Sequence, residues 1–251
     1  MLKLILDVGN TNIKFGFFDN DKLIKTNIIS TKSYSISQLR KNIKNISHTQ
    51  IYIGSVVKHL NNQMLNDIKT ITGISAKFIN AKDFISEFDL SKFNINEIGV
   101  DILGLSLAIK YLYKKAIGIS LGTATFAVAV DNSKLIGAVI APSIELGINQ
   151  LNETTALIKT KDFINWKKKS QLRFGNNTNS AISSGASHMA NGFIWSVLDY
   201  AQKHFKINRT IVSGGKSTYI NFLSDSKNIK VVDNAVLIGY NYLINKLFRH
   251  K

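Results

Sequence analysis

The chain has 251 residues, 45% of them apolar, and a formal net charge of +16 at pH 7. This length and apolar content can supply the core of one large domain or two moderate ones. The absence of cysteine excludes disulfides and thiolate-bound zinc, and the five histidines lack metal-ligand spacing, so we expect no transition-metal site. No apolar run approaches the roughly 20 residues that span a membrane, and residues 1–4 lead directly into a predicted strand. We therefore expect a cytoplasmic protein with no membrane partner.

The positive charge has two interpretations. Only four of the 32 basic residues are arginine, whereas nucleic-acid sites favour arginine forks and aromatic platforms. Lysine, isoleucine and asparagine are abundant throughout, which favours lysines spread over solvated faces. We therefore expect no nucleic-acid partner, although a positive field would help the protein to collect a polyanionic nucleotide.

The first half of the chain reads as strands followed by alternating helices and strands. Apolar runs bounded by turn residues predict strands, and apolar residues at helical spacing predict helices. The predicted strands are 2–6, 13–18, 23–28, 51–56 and 77–79, and the predicted helices are 36–43 and 60–71. A strongly apolar helix is predicted over 101–113, at the end of this half.

The second half repeats the layout of the first. The predicted strands are 116–119, 125–130, 135–140, 210–212 and 229–231, and the predicted helices are 144–151, 180–205, 218–223 and 236–248. Each half begins with a strand, a glycine-containing turn and two more strands, which indicates a duplication. We therefore predict two similar α/β lobes, residues 1–114 and 115–251, whose first hairpin turns face a common cleft.

Two polar turns could bind phosphate. Glycine lets the backbone approach a ligand closely, and hydroxyl and amide side chains add hydrogen-bond donors. In the sequence DVGNTN, residues 7–12, the donors follow Asp7, which could hold Mg²⁺ through water. In SLGTAT, residues 120–125, the same arrangement recurs. Each turn alone could be an ordinary hairpin, but the pair favours a phosphate clamp built from both lobes.

A third glycine turn follows the predicted strand at 210–212. Its sequence SGGKS resembles a phosphate-binding loop, but Thr210 stands where the first glycine of that motif belongs. The two glycines at 214 and 215 suit a backbone that passes close to a flat ligand such as adenine. An ordinary strand-to-helix turn explains this segment equally well.

The order of these motifs resembles the type III pantothenate kinases, members of the acetate/sugar kinase, Hsp70 and actin superfamily. The resemblance is carried by DVGNTNIKFG at 7–16, GVD at 99–101, GTAT at 122–125, GAVIAPSI at 137–144, GNNTNSAISSG at 175–185 and SGG at 213–215. It implies two ribonuclease H-like lobes and ATP-dependent phosphorylation of pantothenate to 4'-phosphopantothenate, the first step of coenzyme A biosynthesis. It also implies a homodimer and an activating monovalent cation, K⁺ or NH₄⁺.

The resemblance also implies roles for individual residues. The implied contacts to ATP and Mg²⁺ are Asp7, Val8, Gly9, Asn10, Thr11, Asn12, Ile13, Lys14 and Thr123. The implied contacts to pantothenate are Gly99, Val100, Asp101, Ile102 and, from the partner subunit, Thr178. Asp101 is the implied general base, and phosphoryl transfer does need a carboxylate to accept the proton of the attacking hydroxyl. From its position alone, Asp101 could instead be a simple helix N-cap.

The chain departs from the family pattern at two positions. The family usually has arginine after the aspartate of its Gly-x-Asp motif, but here Ile102 follows Asp101. The family usually has aspartate before its Gly-Thr-Ala motif, as a ligand of the monovalent cation, but here Ser120 holds that position. The need for this cation therefore stays open. These losses also motivate an alternative, a non-catalytic nucleotide-binding accessory or regulatory protein of the same fold.

Overall fold

The computed structural model describes residues 2–43, 46, 49–154, 174–215 and 228–248. The strands described are β1 (Leu2–Val8), β2 (Asn12–Asp19), β3 (Lys22–Ser30), β4 (Gln50–Ser55), β5 (Lys77–Ile79), β6 (Lys115–Leu121), β7 (Ala124–Asp131), β8 (Lys134–Pro142), β9 (Thr210–Ser213) and β10 (Ile229–Val231). The helices described are α1 (Ile36–Ile43), α2 (Asn61–Thr72), α3 (Val100–Tyr113), α4 (Ile144–Thr154), α5 (Thr178–Phe205) and α6 (Ala235–Phe248). The predicted helix at 218–223 lies outside the described residues.

The first sheet has the strand order β3-β2-β1-β4-β5. Strands β1, β2 and β3 form an antiparallel meander, while β4 and β5 run parallel to β1. The crossovers from β3 to β4 and from β4 to β5 carry α1 and α2, since a parallel connection needs a helix-length return. This register places Asp7 opposite Lys14 of β2 and Gly54 of β4.

The second sheet repeats this order strand for strand. It reads β8-β7-β6-β9-β10, with β6 and β7 antiparallel and β9 and β10 parallel to β6. In this repeat β6 corresponds to β1, and Ser120 of β6 holds the position that Asp7 holds in β1. The predicted pair of similar ribonuclease H-like α/β lobes is confirmed at the level of the two sheets.

Contacts divide the chain into two compact units. The first contains residues 1–114, 132–135 and 234–251, and the second contains residues 115–131 and 136–233. The first unit therefore includes α6, which lies beyond the predicted lobe boundary at residue 114. Helix α6 packs closely against α3 because glycine stands at both contact points: a Cβ added at Gly239 would lie 1.8 Å from the carbonyl oxygen of Gly104.

The two faces of the first sheet are covered by different helices. Leu4, Leu6 and Val8 point to one face and join a buried cluster with residues of α1 and α2. Because side chains alternate along a strand, Asp7 points to the opposite face, on which α3 and α6 pack. A carboxylate is thus brought to the end of an otherwise apolar layer.

The buried Glu87 carboxylate links α3 to α6 in the first unit through two lysines. The Glu87 carboxylate accepts a hydrogen bond from Lys110 Nζ at 2.8 Å and also pairs with Lys246. Burial by itself would raise the pKa of Glu87, but the two lysines outweigh it and lower that pKa. Glu87 therefore remains ionised, and its two lysine contacts tie the segment around residue 87 to both helices.

Candidate functional site

The turn between β1 and β2 is short and well fixed. The N–H of Gly9 donates to the carbonyl of Asn12 at 3.0 Å, and Asn10 and Thr11 are exposed at the tip. Of the sequence-predicted ATP contacts, Asp7 and Val8 end β1, and residues 12–14 begin β2. The structure therefore keeps residues 7–14 together as one strand-turn-strand unit.

Thr31, which the sequence analysis did not single out, holds this turn in place. Its hydroxyl donates to the carbonyl of Gly9 at 2.7 Å, and its N–H donates to the carbonyl of Thr11 at 2.8 Å. On the other side, the N–H of Val56 donates to the carbonyl of Val8 at 3.1 Å. Contacts from both neighbouring strands thus order the turn. Thr31 sits 22 residues after Gly9, so local sequence gives no signal of this contact.

Asp101 lies in the first turn of α3. The N-cap of this helix is Gly99, in an extended conformation, and Asp101 is the second helical residue. The N-cap alternative for Asp101 is therefore wrong: its Oδ1 accepts instead from the N–H of Ile102 at 2.9 Å. A Cβ added at Gly99 would lie 2.4 Å from that Oδ1, so glycine at this position leaves room for the carboxylate.

The charge of Asp101 acts on the Asp7 carboxylate within the first unit. Burial raises the pKa of Asp7 to about 6; the Lys14 ammonium lowers it and the Asp101 charge raises it again. Burial also raises the pKa of Asp101, against the lowering effect of its backbone N–H donors. Two partly desolvated carboxylates, one of which raises the pKa of the other, favour a bound cation between them. Their oxygens are the ligands that Mg²⁺ prefers, so the residues fit a divalent ion.

Tyr240 of α6 completes this part of the site. Its side chain is fully buried, and its hydroxyl has no hydrogen-bond partner among the described protein atoms. The charges of Asp7 and Asp101 add to burial in raising its pKa well above the usual range. The sequence offered no signal for Tyr240, because it lies in an apolar helical pattern that otherwise reads as core.

The second unit contains the matching turn between β6 and β7. The N–H of Gly122 donates to the carbonyl of Ala124 at 3.2 Å, and Thr123 is exposed at the tip. The third glycine turn lies directly against it, since a Cβ added at Gly214 would be 2.5 Å from the carbonyl oxygen of Leu121. Gly214 also has a φ of +103°, which non-glycine residues avoid.

Three further sequence-predicted residues lie at the start of a helix, in the core and within the second sheet. Thr178 is the first residue of α5 and is exposed, next to the N-cap Asn177, whose side chain accepts from Ser180. Ile102 is buried, so the position where the family usually has arginine carries an apolar side chain that packs into the first unit. Ser120 lies between Phe126 and Ser213 in the second sheet.

The described ranges contain neither a ready-made metal cluster nor a membrane-spanning helix. No cluster of three or more histidine, aspartate or glutamate side chains with metal-binding geometry occurs in them. Among the helices described, none combines the length and apolar character needed to cross a bilayer.

Comparison with known proteins gives a consistent family. A family model described as type III pantothenate kinase matches residues 3–227. The chain is 32% identical to the type III pantothenate kinase of Malacoplasma penetrans over 96% of each chain, and 31% identical to that of Mycoplasma mobile over 95% of this chain and 96% of the relative.

A solved structure supports the fold. The Campylobacter jejuni protein described as a conserved member of the Baf family of transcriptional activators superposes with a TM-score of 0.63 at 18% identity, covering 97% of this chain and 98% of that one. The duplicated sheets, the two glycine turns and the sequence matches agree. The chain belongs to the type III pantothenate kinase family.

Proposed function

We propose that this protein is a pantothenate kinase, which transfers the γ-phosphoryl group of ATP to the primary hydroxyl of pantothenate and so forms 4'-phosphopantothenate, the first step of coenzyme A biosynthesis. The observation that carries the proposal is the presence of two partly buried carboxylates, Asp7 and Asp101, together with an ordered glycine turn, in a chain of this family. The accessory-protein alternative is not favoured, because the curated relatives are named as kinases.

Asp101 is the general base in this proposal. Its raised pKa suits the role, because a base is most effective when its pKa approaches the working pH. The carboxylate accepts the proton of the attacking hydroxyl, while Gly99, Val100 and Ile102 present backbone groups to the substrate. The Ile102 side chain offers no cation for the substrate, so we expect Asp101 and backbone groups to orient pantothenate.

The first turn is assigned to ATP and its divalent ion. The exposed amide and hydroxyl groups at Asn10, Thr11 and Asn12 would donate to phosphate oxygens, with the Lys14 ammonium nearby on β2. Asp7 would hold Mg²⁺, which neutralises phosphate charge in reactions of this class. Val8, Gly9 and Ile13 supply the backbone that shapes the turn. We assign Thr123 to ATP as well, since its turn holds the same place in the second sheet.

The two lobes, 1–114 and 115–251, are proposed to divide these roles. The first carries the turn at Gly9 and the base, and the second carries the turn at Gly122 and the dimer interface.

A monovalent cation near Ser120 would bind more weakly than at the family's aspartate, because a hydroxyl is a neutral ligand. A cytoplasmic location agrees with the substrates of this reaction.

We also propose a homodimer in which Thr178 reaches the pantothenate of the partner subunit. Thr178, Met189 and Tyr200 are spaced by 11 residues, about three turns of helix, and so lie on one stripe of α5. Met189 is 60% exposed and Tyr200 is 58% exposed in the isolated chain. Exposed apolar side chains that continue from a proposed substrate residue support an interface on this stripe.

Substitution of Asp101 by asparagine tests the proposal. We expect Asp101→Asn to keep the shape of the side chain but to lower kcat by about 100-fold or more, because the base is removed. The assay follows 4'-phosphopantothenate formed from ATP, Mg²⁺ and pantothenate. ATP binding measured by calorimetry should be nearly unchanged.

A surface variant provides the control for this assay. Asp199 forms an exposed pair with Lys203, so Asp199→Asn should retain wild-type kcat. An Asp101→Asn protein as active as wild type would exclude the assigned base. A wild-type protein that binds ATP but makes no phosphopantothenate would instead exclude the proposed reaction.

A further inference from the structure

The Tyr240 ring occupies a slot formed by two glycines of the first unit. A Cβ added at Gly54 of β4 would lie 2.4 Å from the ring and 2.6 Å from the hydroxyl oxygen. A Cβ added at Gly104 of α3 would lie 2.7 Å from the opposite part of the ring. A Cβ at either glycine would displace the ring, so the two glycines provide the space that the Tyr240 side chain fills.

The slot places the hydroxyl near both site carboxylates. Gly54 is the cross-strand partner of Asp7, and neighbouring strands lie about 4.8 Å apart, so the hydroxyl over Gly54 is close to the Asp7 side chain. Gly104 follows Asp101 by three residues, and helical positions three apart share a face. The two carboxylates and the hydroxyl therefore meet at one end of the layer between the sheet and the helices α3 and α6.

Within the described part of the chain, no atom accepts a hydrogen bond from this hydroxyl. Burial and the two nearby negative charges keep its pKa well above the usual range, so the oxygen retains its proton. Buried polar groups in proteins are nearly always paired, with protein or with an ordered water, because an unpaired one costs the free energy of a lost hydrogen bond. Phenylalanine would fill the slot without this cost.

We infer that Tyr240 is a positioning residue of the phosphotransfer site, whose hydroxyl donates a hydrogen bond through one bound water to the Asp7 carboxylate. The bond fixes the carboxylate from its buried side and leaves the other side for the divalent ion and the phosphates. A water in this place would have the hydroxyl and both carboxylates as partners, which is enough to hold it. The inference about catalysis rests on the proposed kinase function.

The test is Tyr240→Phe, which removes one oxygen and keeps the ring in its slot. We expect kcat for pantothenate phosphorylation to fall about tenfold, while KM for ATP and for pantothenate changes by less than about twofold, because orientation rather than binding is lost. In protein labelled with ¹³C at the aspartate carboxyl groups, the Asp7 resonance, assigned with Asp7→Asn, should shift in Tyr240→Phe without any ligand.

Tyr34→Phe is the matched control. The Tyr34 hydroxyl donates to Asp67 at 2.9 Å on the other side of the first sheet, so its removal breaks a hydrogen bond away from the site. We expect this variant to unfold at a lower urea concentration than wild type while it keeps the wild-type kcat and the Asp7 resonance.

The outcomes separate this inference from the proposed function. An active wild type with an equally active Tyr240→Phe, and an unshifted Asp7 resonance, would overturn the positioning role. A shifted resonance without a change in kcat would also overturn it, since the bond would then have no catalytic effect. If the wild type makes no 4'-phosphopantothenate, the proposed reaction fails, and the resonance alone decides whether the hydrogen bond exists.

Discussion

At the scale of single residues, the candidate site contains charged groups whose burial lowers the stability of the fold. Asp7 is a carboxylate at the edge of an apolar layer, and burial is the largest cause of its raised pKa. Its sequence context, between a strand and a glycine turn, was enough to predict a role for it. The other half of its environment, Tyr240 over Gly54, comes from a helix more than 200 residues later and has no sequence signal.

The pH dependence of stability should show this cost at Asp7. Its pKa is about 6 in the folded protein and 3.8 in an exposed aspartate. Between these values the folded state binds more protons than the unfolded state, so the stability contribution falls as pH rises from about 4 to about 6. Above about pH 6, burial of the ionised Asp7 carboxylate lowers the free energy of unfolding by its full amount. After allowance for solvent screening we take it as about 1–2 kcal/mol.

Asp7→Asn tests this directly in protein without ATP or metal. Near pH 8 we expect the variant to be more stable than wild type by about 1–2 kcal/mol in urea unfolding, and near pH 4 we expect the two to be equal. Phosphotransfer should fall about 100-fold or more, because the ion-holding group is lost. The surface variant Asp199→Asn should change stability by less than about 0.5 kcal/mol at either pH. Equal stability of Asp7→Asn and wild type at both pH values would contradict the assigned burial cost.

At the scale of elements, sequence periodicity was sufficient for most of the fold. The predicted helix 101–113 is observed as Val100–Tyr113, and the predicted strand 210–212 as Thr210–Ser213, because both have strong apolar patterns bounded by turn residues. Periodicity could not predict that α6 packs against α3. That contact depends on Gly104 and Gly239, and a glycine inside a helix reads only as a weak helix former.

Alanine at two helical glycines should separate packing from helix propensity. In Gly104→Ala the new Cβ meets the Tyr240 ring at 2.7 Å and Val236 at 3.1 Å, whereas in Gly185→Ala of α5 it meets no atom within 4 Å. Alanine is favoured in a helix by about 1 kcal/mol, and overpacking costs about 1–3 kcal/mol. We therefore expect Gly104→Ala to be destabilised by up to about 2 kcal/mol and Gly185→Ala to be neutral or more stable.

The kcat values of the two variants should differ in the same way as their stabilities. Displacement of Tyr240 in Gly104→Ala should lower kcat, measured well below the unfolding transition. Gly104→Ala that is both as stable and as active as wild type would show that α6 can move away from α3 without consequence.

At the scale of the whole molecule, the duplication explains why the two glycine turns could be predicted to hold equivalent places in two similar sheets. Two copies of one sheet order place equivalent positions at Asp7 and Ser120, and at the turns of Gly9 and Gly122. The repeat was visible in the sequence as a strand, a glycine turn and two more strands. The copies have since diverged: Asp7 lies between Lys14 and Gly54, whereas Ser120 lies between Phe126 and Ser213.

The proposed homodimer gives the prediction that belongs to this scale. A carboxylate on the exposed stripe of α5 would stay hydrated in the isolated chain. In an interface on this stripe it would lose its water, which would weaken the dimer. We therefore expect Met189→Asp to sediment as a monomer under conditions in which wild type sediments as a dimer. The variant should still bind ATP, but it should lose pantothenate phosphorylation, because Thr178 would no longer reach a partner's substrate.

A neighbouring position controls for the added charge. His188 is also exposed but lies about 100° around the helix from Met189, so His188→Asp should remain dimeric and active. If Met189→Asp stays dimeric, the stripe is not the interface. If it becomes a monomer that phosphorylates pantothenate as fast as wild type, each subunit holds a complete site and Thr178 has no role across the interface. If Met189→Asp loses both dimer formation and pantothenate phosphorylation but still binds ATP, dimerisation is required for the pantothenate site.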